Sequence, residues 1–356
     1  MTTIGIIGAN GQVGAETSLY LSLQKDINII PICRTAFAAA FLKRAGLECR
    51  IGNISDPREA TLLLKDCDLV ADFTYIKGLP SEIKATSKGI IFNAMKYSSE
   101  HAKFVFASSM MAFGMGKNDK EFKSYLIARS VYGAMKRFSE KMAFKTGKQF
   151  AKEVYILRIG QVHGELQEVS RIFLKELKSE RCLIPACPSY TVFPYTIAEA
   201  LVNIAKGKEM SGIYTLVSKP EWNWQEVYEY YCQKAKISPQ IILSNINVAS
   251  SKSIKQKILR LFFKILKYYA EVIASYILVY FPNLEKQAMA KYYIKKAREE
   301  TAERMNEIKY APFTDIHHGK ILGKRLKSLS DSRVNMIKPS IEVSKLIKSI
   351  HDLCNV

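Results

Sequence analysis

Three residues have the types and spacing of a proton-transfer site. Ser109 closes the apolar run Phe104-Val105-Phe106-Ala107, and Tyr132 and Lys136 follow in a helical stretch. Four residues make one helical turn, so the Tyr hydroxyl and the Lys ammonium share a face. A neighbouring ammonium favours phenolate, and the expectation is a Tyr132 pKa brought down from about 10 towards the range of a general acid/base. A Ser hydroxyl on the same substrate oxygen completes a polar clamp for a carbonyl or a carbinol. Alone, such a pair in a Lys-rich chain is more often two surface residues. A second motif upstream changes that reading: Gly8-x-x-Gly11-x-x-Gly14, directly after the apolar run Thr3-Ile4-Gly5-Ile6-Ile7.

That turn is a candidate pyrophosphate cradle. Gly8 lets the chain turn off a strand, Gly11 lets backbone N–H groups approach an anion, and Gly14 lets a helix pack close to the strand. The anion then lies at a helix N-terminus, where unpaired amides and the dipole favour negative charge, with Asn10, Gln12 and Val13 beside it. The rest of the N-terminal half alternates strand and helix. Helix patterns cover residues 12–23 and 35–45, strand patterns 27–33, 48–51, 68–74 and 104–107, and a long helix 120–145, with Asp56 the expected N-cap before Pro57. This alternation predicts an α/β fold, a Rossmann-type doubly wound parallel sheet. Ligands of such sheets bind at the carboxyl ends of the strands, where the Gly turn, Arg34, Thr35, Asn53, Ile54, Phe73 and Thr74 all fall. Arg34 stands where an NAD site carries an acid for the ribose hydroxyls. An arginine there pairs with a 2′-phosphate, so the expected cofactor is NADP, with NAD the alternative and a solvated Arg34 the bland reading.

Taken together, these motifs resemble the extended short-chain dehydrogenase/reductases, the NAD-dependent epimerase/dehydratase family, over roughly residues 1–235. The resemblance rests on the Gly turn, Asn53-Ile54, Asn93, Ser109, Tyr132-x-x-x-Lys136 and Leu157-Arg158-Ile159-Gly160-Gln161-Val162-His163-Gly164. It implies Tyr132 as acid/base, Lys136 on the nicotinamide ribose and tuning Tyr132, and Ser109 orienting the substrate oxygen. It also implies cofactor contacts from Asn53, Ile54 and Asn93, and a substrate contact from Gln161. His163 is either a second pocket residue or a packed turn residue. Sugar dehydratases of this family carry Asp-Glu after the catalytic hydroxyl; here Met110 and Met111 stand there, and neither moves a proton, so dehydration is disfavoured. With Phe113 they would make one wall of the substrate pocket apolar. The expected domains are 1–165, carrying cofactor and catalytic residues, 166–250, a small substrate lobe with some return to the sheet, and 251–356, a basic helical extension.

The chain has 356 residues, 48% of them hydrophobic, and a net charge of +20. Of that excess, +11 lies from residue 251 onward, so a nucleotide site near the N-terminus does not account for it. In that region Lys257, Arg260, Lys264, Lys267 and Glu271 make a polar stripe on an apolar helix pattern. The stripe suits either a helix packed on the enzyme body or a twin subunit, or a peripheral contact with an anionic membrane or an acidic carrier protein. No aromatic stacking platform accompanies the basic residues, which argues against nucleic acid. The seven cysteines form no Cys-x-x-Cys pair, and Asp315-Ile316-His317-His318 lacks further ligands at suitable spacing, so neither a disulfide framework nor a metal is expected. A cytoplasmic protein is the expectation, and the resemblance implies a homodimer. Four functional readings stand: a nucleotide-sugar reductase, placed first because of Arg34; an epimerase with tightly bound NAD; a ketoreductase on a lipid-like or carrier-bound ketone; and a non-enzymatic NADP-binding regulator.

Overall fold

The computed structural model describes residues 1–113, 131–178, 181–244 and 323–352. Its strands, numbered along the chain, are β1 (Thr2–Ile7), β2 (Ile27–Cys33), β3 (Arg50–Ile51), β4 (Leu69–Asp72), β5 (Lys103–Ser109), β6 (Val154–Ile159), β7 (Gln161–Val162), β8 (Arg181–Pro185), β9 (Thr191–Val192), β10 (Gly212–Leu216) and β11 (Gln240–Ser244). Seven of them form one parallel sheet in the order β10-β6-β5-β4-β1-β2-β3. The chain first winds outward from β1 to β3, then crosses back to β4 and winds the other way. The sheet therefore has its switch point between β1 and β4, where a crevice must open at the carboxyl edge.

The central strands are near-continuous apolar runs because both faces are covered. One face carries Ile4, Ile6, Leu69, Ala71, Val105, Tyr155, Leu157 and Tyr214, packed under α1 (Gln12–Ser22) and the helix of residues 194–205. Residues one position along the same strands, Ile7, Val70, Phe104, Phe106, Val154 and Ile156, pack on the other face. That face lies under α3 (Pro57–Leu64), α4 (Pro80–Lys96) and α5 (Val131–Gln149). Here α2 is Ala36–Arg44, capped by the Thr35 hydroxyl, which accepts from Ala38 N at 3.1 Å. Asp56 caps α3 by accepting from Arg58 N, with Pro57 at the first helical position, as the sequence predicts.

Two expected strands are shorter than their apolar patterns. The third keeps only Arg50–Ile51, and the fourth ends at Asp72, whose carboxylate accepts from Thr74 N at 2.8 Å and caps the strand end. The expected helix 120–145 is described from Val131. Its first part, the basic stripe of residues 257–271 and the 315–318 cluster lie outside the described residues.

Beyond β6, α6 (Glu168–Glu176) and α8 (Trp224–Ala235) pack with the parallel pair β8 and β11. They enclose an aromatic core of Phe173, Phe193, Trp222, Trp224, Tyr228 and Tyr231. Between them α7 (Pro194–Ala205) and β10 return to the main sheet. The end of the chain returns as well. After α9 (Ser332–Asn335), α10 (Ile337–Asp352) buries Val343 and Ile347 in the core of β1, α1 and α7. The last thirty described residues thus complete the Rossmann body. Among the described residues no helix is long and apolar enough to cross a membrane.

Candidate active site

A cleft of about 990 Å³ opens at the carboxyl edge, at the top of the range for ligand sites. The turn after β1 forms its floor, with Gly8, Asn10, Gly11, Gln12, Val13 and Gly14 all lining it. Gly8 has φ +75°, in the left-handed region that suits glycine, and a Cβ on Gly14 would sit 2.5 Å from the Gly8 carbonyl. No side chain caps α1, whose N-cap is Gly11, so its first-turn amides are left for an anionic group. The cradle therefore fits a dinucleotide pyrophosphate.

Arg34, exposed at the end of β2, lines the same cleft, together with Gly52, Asn53, Ile54 and Ser55. The 53–55 turn is held from two sides. Asn53 N donates to Glu59 Oε2 at 2.8 Å, and Asn93 Nδ2 donates to the Ile54 carbonyl at 2.8 Å. Asn93 is buried and absent from the described lining, so it positions the turn from behind. Thr35 spends its hydroxyl on the helix cap and does not line the cleft either.

Ser109, Tyr132 and Lys136 all open into this cleft, beside Phe73, Thr74 and Tyr75. Ser109 ends β5, whereas Tyr132 and Lys136 descend from the first turns of α5. Lys136 Nζ donates to the Ala107 carbonyl at 2.7 Å and sits 4.8 Å from the Phe106 ring centroid. Burial draws its pKa down to about 8, against the opposing pull of Asp72 and Glu140. Tyr132 is 38% exposed, hydrogen-bonds Ser109, and meets the Tyr75 ring edge-on with centroids 6.0 Å apart. Its pKa is raised, contrary to the sequence expectation. Crowding by protein atoms outweighs the Ser109 hydrogen bond, and Lys136 lies against the ring, 5.8 Å from its centroid.

Four expected substrate contacts fall elsewhere. Met110 is buried with Phe113, Tyr190 and Val217, and Met111 is half-buried, so neither enters the cleft lining among the described residues. Gly160 and Val162 line the cleft, so strand alternation turns Gln161 and His163 away from it. Gln161 N pairs with the Tyr190 carbonyl. His163, 0% exposed, lies between Phe173, Phe193 and Trp224 with Nδ1 3.3 Å from the Tyr231 hydroxyl. Of the two readings of His163, the packed one fits the structure.

Several residues shape the site without carrying a sequence motif. Glu140, one turn beyond Lys136 and 4% exposed, accepts Arg158 Nε at 3.0 Å, an Arg158 terminal nitrogen at 2.7 Å and the Ser108 hydroxyl at 2.5 Å. Its four-residue spacing from Lys136 was the available signal. Glu16, buried inside α1, accepts from Glu165 N, Leu166 N and Gln167 Nε2, which ties the loop before α6 to the Gly turn. Nothing local marks it.

The family described as NAD dependent epimerase/dehydratase matches residues 4–179. Among solved structures, the chain is similar to a UDP-N-acetylglucosamine 4-epimerase from Bacillus cereus, with TM-score 0.54 and 15% identity over 69% of this chain and 86% of that one. The UDP-Glc/GlcNAc 4-epimerase of Campylobacter jejuni gives TM-score 0.54 at 15% identity, over 73% and 93% of the two chains. WbmH of Bordetella bronchiseptica, solved with NAD+, gives 0.53 at 19%, over 73% and 91%. At these identities the likeness is one of fold. No curated protein matches by sequence.

Proposed function

Because the chain belongs, through residues 4–179, to the NAD dependent epimerase/dehydratase family, we propose that it is an epimerase of a nucleotide sugar that keeps NAD in its cleft. One observation carries this: Ser109, Tyr132 and Lys136 open into the same cleft as the uncapped glycine turn. The turn at Gly8–Gly14 holds the pyrophosphate, the 53–55 turn and Arg34 the adenosine end, and Lys136 the far ribose. When bound, a nicotinamide supplies the acceptance and return of a hydride. Tyr132, as the phenolate once the filled cleft offsets its raised pKa, takes the carbinol proton and gives it back, while the Ser109 hydroxyl holds the sugar oxygen. Met110 and Met111 carry no acid or base to expel water, which speaks against a dehydratase. The burial of Met110 and Phe113 takes away two of the side chains that pointed to a lipid-like substrate. NAD as the cofactor draws on the NAD-bound WbmH, and epimerisation on the two epimerases of the same fold.

Arg34 favours a second reading, an NADP-dependent reductase, because it lines the cleft where a 2′-phosphate would lie. The two part on what the protein carries. Denatured after dialysis, an epimerase releases stoichiometric NAD, identified by mass spectrometry. A protein that releases none, and prefers NADPH to NADH until Arg34→Ala, is the reductase.

A further inference from the structure

Lys136 lies above a row of polar side chains at the carboxyl edge of the sheet. On the face covered by α3, α4 and α5, inward side chains follow every second residue: Val70 then Asp72 on β4, Phe104 and Phe106 then Ser108 on β5, Val154 and Ile156 then Arg158 on β6. The apolar layers thus end in Asp72, Ser108 and Arg158, all buried. The register places Asp72 directly beside Phe106, the ring over which Lys136 Nζ sits at 4.8 Å. Asp72 and Lys136 are therefore neighbours on either side of the Phe106 ring, beneath α5, close enough to interact by charge without a direct ion pair.

Two acids and two bases occupy this layer, and their pairing is unequal. Glu140 is engaged at both oxygens by Arg158 and at one also by Ser108. Asp72, 1% exposed, accepts among the described residues only from Thr74 N at 2.8 Å and Thr74 Oγ1 at 2.7 Å, both through Oδ1. Hydrogen bonds from two uncharged groups do not offset the cost of burying a carboxylate. The ammonium of Lys136 is the neighbouring charge that can. We propose that Asp72 is a positioning residue for the catalytic centre, holding Lys136 as an ammonium beneath Tyr132 while fixing Thr74 in the cleft wall. Among the described residues, the groups facing Lys136 agree with this assignment: Asp72 from β4, the Arg158-matched Glu140 and the neutral phenol of Tyr132 from α5, and the Phe106 ring and Ala107 carbonyl from β5. The pKa directions match it as well, since Asp72 and Lys136 each oppose the effect of burial on the other.

The proposal builds on the reading of Lys136 as a site residue, but its test needs no turnover. Competitive acetylation with acetic anhydride across pH, read by mass spectrometry of the Lys136 peptide, gives the titration midpoint of that amine in the full-length protein. Asp72→Asn keeps an acceptor for Thr74 and removes the charge, so the midpoint should fall by about one unit. Thr74→Val removes one hydrogen bond to Asp72 and keeps the charge, so the midpoint should stay at the native value. An Asp72→Asn midpoint equal to the native one overturns the proposal. So does a Thr74→Val midpoint that falls, and Asp72→Ser, smaller and equally uncharged, carries the same test with the same expected fall if Asp72→Asn does not fold. Failure of the epimerase reading, through an empty cleft or the wrong nucleotide, would leave both midpoints untouched.

Discussion

Tyr132 and His163 show how far burial governs single residues here. Each was singled out for its chemistry, and each meets crowding first. Tyr132 keeps its proton more firmly than a free phenol, so proton transfer depends on what enters the cleft beside it. His163 has a different consequence. Burial alone lowers its pKa to about 3, against an ordinary value near 6.5. A folded-state pKa below the unfolded one means that the unfolded chain binds the proton more tightly. The stability tied to His163 is therefore complete above pH 6.5 and is lost as pH falls from 6.5 towards 3. Between pH 7 and pH 5 this one residue should cost the fold roughly 2 kcal/mol. Urea unfolding at the two pH values should show His163→Phe losing less stability than the native chain. Equal losses would mean the imidazole is wetter than its aromatic surroundings indicate.

Helices and strands were easier to read than the contacts between them. The apolar runs and caps give β1, β2, α2 and the start of α3 to within about two residues, because those signals are local. What joins α1 to α6 is not local. Glu16 reaches 149 residues along the chain to hold the amides of Glu165 and Leu166, and Gln167 Nε2 bonds both Glu16 and the Gln12 carbonyl. A Cβ at Gly164 would run into the Glu16 carboxylate, which gives that glycine its reason. Glu16→Ala should cost about 3 kcal/mol in denaturant unfolding, since it strands three donors that are partly or fully buried. Glu16→Gln, which keeps one acceptor oxygen, should cost less. If the two substitutions cost the same, hydrogen bonding is not what the carboxylate provides.

For the whole molecule, the domain boundaries drawn from composition and the packing differ at the C-terminus. Residues 323–352 carry basic surface positions, yet their apolar side is built into the core under β1, α1 and α7. Leu326, Leu329, Val343 and Ile347 pack with β1, α1 and α7, and Arg333 ion-pairs with Glu226 of the aromatic lobe at 2.8 Å. The chain end thus links both parts. Ile347→Ala should cost about 2–4 kcal/mol in global unfolding, in a single transition shared with the Rossmann body. A separate early transition with the main one unchanged would mark α10 as an appendage.

The sequence by itself determined the α/β alternation, the glycine turn, and the Ser109, Tyr132 and Lys136 set, since each depends on spacing within one turn or one strand end. It also placed the ends of β1, β2, β4 and β5 on one crevice, because parallel connection leaves no other edge. Only the tertiary structure decided which side of a strand a residue takes and what waits there. A shift of one position separates Gly160 and Val162 in the cleft from Gln161 and His163 outside it, and makes Asp72 a neighbour of Lys136 instead of α1. The face a strand shows to a given helix is set by register and winding order, quantities that depend on residues distant in sequence.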